Sequence, residues 1–183
     1  MLGPGIWKSP RPLHLTAITE QQMHKDLITA DQARQLFDYD RDTGDLRWRI
    51  RGMKLVSCRD KHGYVVVRVN YRLYRAHRIA WLIHHGVWPE SLIDHINGVP
   101  SDNRILNLRA ASYSQNNRNR RVNSSNSSGF KGVSYDTRRN KWVSKIKHEG
   151  KWFNLGRYET PEKAHAAYCT AAEKLHGEFA RLV

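Results

Sequence analysis

The chain has 183 residues, a formal net charge of +14 and a pI near 10.1, and this charge restricts the class of partner. A compact protein with such an excess repels itself, so the charge is usually retained for a polyanion. Nucleic acid comes first and an anionic membrane surface second. The sequence has no run of 18 apolar residues, which disfavours a membrane-spanning protein. It also has no single basic amphipathic helix, which disfavours a protein that binds a membrane surface. We expect a soluble protein that binds nucleic acid.

Cysteine usage and the first residues bear on the compartment. Cys58 and Cys169 lie far apart and neither has a C-x-x-C partner, so we expect neither a disulfide framework nor a cysteine zinc site. A reducing cytoplasm fits this pattern. The first 22 residues lack the apolar core of a secretion signal, and residues 1–28 are predicted to form a flexible leader.

Capping, periodicity and breaker residues predict the elements before residue 94. Thr29 and Gln32 form a capping-box pattern at the start of an apolar helical period. Two later segments alternate apolar with basic side chains or are rich in Val, which is typical of strands that present arginines on one side. The predicted elements are a helix over 30–37, strands over 45–51 and 64–70, and, after one more strand, a helix over 76–85 that Gly86 closes.

The most informative segment runs from Asp94 to Asn117 and reads DHINGVPSDNRILNLRAASYSQNN. A carboxylate beside an imidazole, followed by carboxamides, can assemble one hard metal ion and one general base. The plainer interpretation is a hairpin with an Asn97-Gly98 turn and a polar surface helix. The residues by themselves leave both interpretations open.

The whole arrangement resembles the HNH endonuclease motif, also called ββα-metal, in the form common among phage and intron-encoded nucleases. In that motif an Asp-His pair on a strand is followed by an Asn-Gly turn, a second strand and a helix that bears the last Asn. The matching residues are Asp94, His95, Asn97, Gly98, Asp102, Asn103, Arg104, Asn107, Leu108, Arg109 and Asn116. The resemblance implies an α+β nuclease domain over residues 29–120, with its core motif at 94–117.

The resemblance also implies roles for single residues. Asp94 and Asn116 would hold one Mg²⁺ or Mn²⁺ ion per active site through oxygen, and His95 would be the general base. Asn107 would lock the loop across the strands and orient the His95 ring. His77 matches a position where the family often carries His, with either a direct active-site role or a structural hydrogen bond to the site. These residues are therefore the candidate catalytic and metal-binding set.

Two alternatives concern the metal. Asn117 and Asn119 lie close to Asn116 in the sequence, so the choice of Asn116 as the last metal ligand rests on its spacing from Asp94. Zinc is the rival ion, but the segment offers one histidine and no cysteine, whereas structural zinc sites need four nitrogen or sulfur ligands.

A polar segment over 121–129 is typical of a linker, and a second domain over 130–183 follows it. Three short strands are predicted, with a tight turn at Glu149-Gly150. Thr160 and Gly177 mark the ends of a final helix. Strand alternation puts Val143, Lys145, Lys147, Trp152 and Asn154 on the sheet face away from that helix, and the strands themselves are expected over 132–135, 141–147 and 152–155.

The second domain resembles the Apetala-type (ethylene-response-factor) DNA-binding domain. The matching residues are Gly129, Lys131, Gly132, Val133, Lys141, Trp142, Val143, Leu155, Gly156, Tyr158, Glu162, Ala164, Ala167, Tyr168, Ala171, Leu175, His176 and Gly177. The resemblance implies that the sheet enters the major groove of duplex DNA. The predicted DNA-binding residues are Lys131, Arg138, Arg139, Lys141, Val143, Lys145, Lys147, Trp152 and Asn154.

Together the two resemblances imply a metal-dependent DNA endonuclease of the homing type. It would be phage-encoded, act as a monomer or homodimer in the cytoplasm of a bacterial host, and need no protein or membrane partner. A non-catalytic DNA-binding regulator on an HNH scaffold is the competing class. A protein that binds or cuts RNA is a third, since the charge does not separate RNA from DNA.

Overall fold

The computed structural model describes residues 27–123 and 125–182, and shows the α+β class that the sequence predicted. Its helices and strands form several small antiparallel sheets in two successive units. No helix in the described ranges is long and apolar enough to cross a membrane. Of the predicted leader, residues 1–26 lie outside the described part, while Ile28 is a core residue and its carbonyl accepts a hydrogen bond from Trp88 Nε1 at 2.9 Å.

The first unit begins with helix α1 (Ala30–Leu36), which is capped as predicted: the Gln32 N–H donates to Thr29 Oγ1 and the Thr29 N–H to Gln32 Oε1. A small sheet follows, of strands β1 (Phe37–Tyr39), β2 (Leu46–Trp48) and β3 (Lys54–Leu55). The predicted strand over 45–51 is too long, because Arg49–Arg51 form a 3₁₀ turn that Gly52 ends at φ +60°. Both neighbours of β2 are too short for a sequence pattern to reveal.

The predicted strand over 64–70 appears as β4 (Val66–Val69), and it pairs with β5 (Arg72–Arg75). Helix α2 (Ala76–His85) has the predicted bounds, and Gly86 ends it at φ +78° with its N–H on the Leu82 carbonyl. These elements share one core because their apolar faces meet around α2. Its most buried members are Ala33, Phe37, Leu46, Ala76, Ile79 and Leu82.

The segment that resembles the HNH motif folds as strand, strand, helix: β6 (Leu92–His95), β7 (Leu108–Ala111) and α3 (Tyr113–Arg118). The strands are antiparallel, and Asp94 pairs with Arg109 and His95 with Leu108. Residues 96–107 connect them and end in a 3₁₀ turn over Ile105–Asn107. Ser112 and Gln115 form a capping box at the start of α3.

The second unit is the predicted three-stranded sheet and helix. Strands β8 (Val133–Asp136), β9 (Lys141–His148) and β10 (Lys151–Tyr158) lie in the order β10-β9-β8, and helix α4 (Pro161–His176) packs on one face. The cap at Thr160, Pro161 at the first position and the stop at Gly177 are confirmed. Strand β10 is twice as long as predicted, because a bulge between Asn154 and Gly156 lets the strand continue beyond Leu155.

The connection between the units carries no regular element among its described residues. It is nevertheless held by side-chain hydrogen bonds, since Ser128 Oγ donates to the Val133 carbonyl at 2.9 Å and Asn126 Nδ2 to the Phe130 carbonyl at 3.0 Å. Polar residues that resemble a flexible linker in composition therefore build a turn here.

The β1–β2 loop supports the loop of the HNH segment from behind. The Ile105 N–H donates to the Arg41 carbonyl at 3.0 Å, and Tyr39 Oη donates to the Asn103 carbonyl at 2.7 Å. Gly44 has φ +79°, and a Cβ there would lie 2.5 Å from the Arg104 nitrogen. Only glycine allows this approach of two backbones.

Gly44→Ala is expected to lower the free energy of unfolding by roughly 3 kcal/mol, because it adds a backbone clash to the strain of a positive φ. Gly52→Ala is the matched control: φ is +60° there but no atom lies within 4 Å of the added Cβ, so about 1 kcal/mol is expected. Urea unfolding of both variants measures the difference. Equal losses would contradict the close contact.

Candidate active site

Asp94 and His95 end strand β6 and are both 5% exposed. In most strands two neighbouring polar residues would put one side chain in solvent, because side chains alternate between faces. Here helix α2 contacts the strand through His77 and Ala80 and helix α3 contacts it too, so both side chains are enclosed and need polar partners. Their partners determine what each can do.

The His95 ring is held by Asn103, whose Oδ1 lies 3.3 Å from His95 Nε2. Asn103 is itself 3% exposed. Because a carboxamide oxygen only accepts, this contact favours the proton on Nε2 and leaves Nδ1 with its lone pair. The side chain hydrogen-bonded to the ring is thus that of Asn103 and not that of Asn107, which the sequence had suggested.

Asn107 does lock the loop across the two strands. Its Oδ1 accepts from the Asn97 N–H at 3.0 Å, and its Nδ2 donates to the Asp102 carbonyl at 2.8 Å. One buried carboxamide therefore satisfies a backbone donor and a backbone acceptor on opposite sides of the loop. It acts on the loop that follows His95 and has no contact with the imidazole.

The Asp94 carboxylate has two side-chain partners that the sequence analysis did not assign to it. Arg109, opposite Asp94 in the strand pair, donates to Oδ2 from Nε at 3.0 Å and from Nη2 at 2.9 Å. Asn119 Nδ2 lies 3.0 Å from both carboxylate oxygens and 2.8 Å from the His95 carbonyl. Asn119 directly follows α3 and is 7% exposed.

Asn116, the predicted second metal ligand, lies with Asn117 in the wall of a cleft of about 1060 Å³ that Asp94 and His95 also line. The structure thus brings Asn116 to the same cleft, while the amide in contact with Asp94 is that of Asn119. Other groups on the cleft wall are basic or polar, namely His62, Tyr64, Arg120, Arg121, Asn123 and Lys131. An anionic ligand suits this lining.

His77 lies beside His95 as the sequence suggested, and it makes no hydrogen bond to that residue. The two rings meet edge to face with centroids 4.9 Å apart, and Tyr64 packs on both at 5.4 Å and 5.8 Å. His77 is 3% exposed and its Nδ1 is buried without a partner in the described part of the chain. Burial lowers the pKa of His77 to about 3, so the ring is neutral at neutral pH.

Burial also lowers the pKa of His95 below its ordinary value of 6.5. The Asn103 hydrogen bond and the charges of Asp94 and Asp102 oppose this shift, and desolvation is the larger effect. A neutral imidazole at neutral pH can accept a proton, which a general base must do.

The oxygen set beside His95 fits a hard, hydrated divalent cation. The Arg109 nitrogens bond to Asp94 Oδ2, and the Asn119 amide nitrogen lies 3.0 Å from both carboxylate oxygens. Since a carboxylate oxygen has two lone pairs, Oδ1 has one left for another ligand. Carboxylate and carboxamide oxygens are the ligands that Mg²⁺ and Mn²⁺ prefer. Residues 27–123 and 125–182 contain no cluster of three His, Cys, Asp or Glu side chains that could hold a metal by itself.

The sheet of the second unit has the predicted open face. The pairs Lys147 with Trp152 and Lys145 with Asn154 lie side by side, and all four side chains are exposed. Arg157, which was not predicted from the sequence, lies opposite Val143 and adds a further side chain to the open face. Val143 lies on the same face but is 6% exposed, so its neighbours cover most of it.

The remaining predicted DNA-binding residues divide into two groups. Arg138, Arg139 and Lys141 surround the β8–β9 turn and are at least partly exposed. Lys131 lies elsewhere, between the two units, where its Nζ donates to the Arg118 and Arg120 carbonyls after α3. Burial lowers the pKa of Lys131 to about 8. Its predicted contact with DNA would therefore come from the cleft wall, which it also lines, and not from the open sheet face.

A second groove, of about 490 Å³, joins the open face to the cleft. It shares Tyr113, Asn117 and Lys131 with the cleft and reaches Lys145, Lys147 and Trp152. The cleft and this groove are therefore neighbours that share part of their walls.

The comparisons with known proteins divide the chain in the same way. The family model described as HNH endonuclease matches residues 74–118, and the model described as AP2 domain matches residues 128–178. Protein 3.8 of Escherichia phage T7 is 37% identical over 112 residues, which cover 61% of this chain and 92% of that protein. HNH nucleases generally use a divalent metal. The fold, the cleft and these matches lead to one conclusion: the chain belongs to the HNH endonuclease family and carries an AP2 DNA-binding domain behind its nuclease domain.

Proposed function

We propose that the protein is a divalent-metal-dependent endonuclease that hydrolyses phosphodiester bonds of duplex DNA. The observation that carries the proposal is the pair of adjacent buried side chains on the cleft wall, Asp94 and His95, which their partners prepare for different tasks. Asn103 favours the His95 tautomer that accepts a proton at Nδ1, and Arg109 with Asn119 holds the Asp94 carboxylate in place.

In the proposed reaction, His95 Nδ1 takes the proton of the attacking water. The scissile phosphate enters the cleft, where Arg120 and Arg121 offer guanidinium groups for its non-bridging oxygens. Hydrolysis would leave a 5′ phosphate and a 3′ hydroxyl, as the family resemblance implies. The cleft is lined mainly by basic and polar groups, which suits the phosphate backbone of a polymeric substrate.

Mg²⁺ or Mn²⁺ is the proposed cofactor, held by Asp94 and by Asn116 or Asn119. Such an ion stabilises negative charge on the phosphate and on the leaving oxygen. Asn119 needs an amide rotation to turn its oxygen toward a cation, because its Nδ2 now contacts Asp94. Asn116 needs no such exchange of partners, which favours it as ligand and leaves Asn119 as a positioning residue.

The AP2 sheet is proposed to deliver the nuclease to its site. Lys145, Lys147 and Arg157 would contact phosphates from the open face, while Trp152 and Asn154 reach base edges in the major groove. The groove that links this face to the cleft supports one DNA path across both domains. The phage relative supports a phage-encoded protein in the host cytoplasm. The protein is proposed to act there on DNA as a monomer or homodimer.

His95→Ala is expected to lower the rate of DNA cleavage with Mn²⁺ by about 100-fold or more, because general-base catalysis contributes on that order. His84→Ala is the matched control, since His84 is an exposed histidine at the other end of helix α2. Single-turnover cleavage of the native phage or host genome measures both, and gel shift checks that DNA binding is kept. Full activity of His95→Ala would refute the mechanism, and an inactive wild type that still binds DNA would favour the regulatory class.

The acid limb of the cleavage rate is expected to have its midpoint below pH 6.5. Burial lowers the pKa of His95, so the imidazole stays neutral and basic at a pH where an exposed histidine is already protonated. The single-turnover rate, followed from about pH 5 to about pH 8 at saturating Mn²⁺, should be flat near neutrality and fall only on the acid side. A midpoint above 6.5 would contradict the desolvated position of His95.

Lys145→Ala with Lys147→Ala is expected to weaken DNA binding and to lower the slope of log K against log salt by roughly 2, about one unit per lost phosphate contact. Lys163→Ala with Lys174→Ala removes the same charge from helix α4, which lies on the other face of the sheet, and should leave the slope nearly unchanged. Fluorescence anisotropy over a salt series measures both. Equal slopes for the two double variants would show that the open face is not the reader.

A further inference from the structure

Arg109 is contacted from both domains. From the nuclease domain it binds Asp94, with Nε and Nη2 at 3.0 Å and 2.9 Å from Oδ2. From the other side, its Nη1 donates to the Glu178 carbonyl at 2.6 Å, and its guanidinium carbon lies 3.8 Å from the centre of the Phe179 ring. The Arg109 side chain is 12% exposed. Its hydrogen-bonding edge faces the metal-binding carboxylate, and its flat face rests on the AP2 domain.

The contacts come from the segment that follows the last helix. Helix α4 stops at Gly177, whose φ of +53° turns the chain back, and Gly177–Phe179 form a 3₁₀ turn. Phe179 is 7% exposed although it lies at the periphery of its own domain. This segment, residues 177–182, is named the C-terminal turn.

The C-terminal turn also reaches the loop that follows His95. Arg181 Nη1 donates to the Asn97 carbonyl at 3.3 Å, and the same nitrogen lies so close to Gly98 that a Cβ there would approach it to 2.1 Å. Both the strand partner of Asp94 and the loop after His95 are therefore touched by the same six residues of the second domain.

Because Arg109 is charged and nearly buried, the loss of any of these contacts would be costly. A guanidinium enclosed to this degree has to keep its hydrogen bonds, since an unpaired buried charge costs several kcal/mol. Its planar fork fixes the position of Asp94 Oδ2 only while the plane itself is fixed. The Phe179 ring and the Glu178 carbonyl determine that plane, because they contact the face and the outer edge of the same group.

We infer that the C-terminal turn of the AP2 domain is a positioning element of the nuclease site, and that it acts through Arg109 on Asp94. The inference rests on the proposed function. It makes the AP2 domain more than a DNA tether: the carboxylate that would hold the cation is oriented correctly only when the turn is docked. Residues that contact a metal ligand, but not the metal itself, commonly change metal affinity in this way.

The test compares Phe179→Ala with Glu178→Ala in the full chain. Phe179→Ala removes the ring from under Arg109, whereas Glu178→Ala keeps the carbonyl and removes only a side chain that is 76% exposed and 3.8 Å from Arg109. Mn²⁺ binding by titration calorimetry without DNA is the first measurement. The Mn²⁺ dependence of single-turnover cleavage, DNA affinity and the unfolding midpoint are the others.

Phe179→Ala is expected to weaken Mn²⁺ binding about tenfold, and to shift half-maximal cleavage to a similarly higher Mn²⁺ concentration, with DNA affinity unchanged. Excess Mn²⁺ should restore its cleavage rate, which it would not do if the domain were merely misfolded. Glu178→Ala should match the wild type within about twofold, since its exposed ion pair contributes little.

Wild-type Mn²⁺ affinity in a folded Phe179→Ala protein would overturn the inference. Where Phe179→Ala does not fold, Phe179→Leu decides, because it fills the space and lacks the aromatic face: weaker Mn²⁺ binding supports the inference and unchanged binding refutes it. A wild type that neither binds Mn²⁺ nor cleaves DNA would instead refute the proposed function, and so the two failures differ.

Discussion

The buried Asp94 carboxylate is the constraint on which the rest of the site depends. A carboxylate that is 5% exposed must be paired, and here the pairing draws on strand β7 through Arg109 and on the residue after helix α3 through Asn119. Those two partners bring the ends of all three elements of the strand-strand-helix unit together. Arg109 in turn needs the C-terminal turn to complete its own contacts. Through Arg109, the Asp94 carboxylate is thus connected to both domains.

The side chain of His95, the next residue, has neutral partners where Asp94 has a charged one. Its ring is enclosed by His77 and Tyr64, which offer no charge, and its Nε2 is hydrogen-bonded to the neutral Asn103. Desolvation therefore keeps the imidazole neutral, while the adjacent Asp94 stays paired with a cation. Two residues that follow one another in a strand thus have different electrostatic environments, because different elements cover them. This difference suits the proposed roles of His95 as a base and Asp94 as a cation ligand.

The architecture explains why elements far from the cleft matter to it. Asn103 can reach His95 because its backbone lies on the β1–β2 loop, where Gly44 permits the close approach and Tyr39 holds the Asn103 carbonyl. The small N-terminal sheet therefore helps to fix the tautomer of His95, about fifty positions later in the chain. In the second domain, the bulge in β10 keeps Leu155 in the core while Asn154 and Arg157 stay on the open face.

Features governed by local chemistry were predictable. Helix α2 and helix α4 have the bounds that their caps and breakers predicted, and the Glu149-Gly150 turn lies where it was expected, with both residues at positive φ. The strand over 45–51 was predicted too long. The alternation of apolar and basic residues that indicated it continues through the following 3₁₀ turn, so the sequence pattern does not show where the strand ends. Strands of two or three residues leave no periodic signal at all.

The sequence by itself determined the α+β class, the order of the two domains and the segment that holds Asp94 and His95, because these follow from spacing, capping and alternation along the chain. The partners of the two residues were decided by tertiary structure. Arg109 was visible as part of a motif and Asn119 as one of several asparagines, but nothing in their spacing says which amide meets the carboxylate. Lys131, which the sequence predicted to bind DNA, lies between the domains, where its Nζ donates to the Arg120 carbonyl. Burial and pairing arise only when distant segments pack together, so the chemistry of a site depends on contacts that no local pattern records.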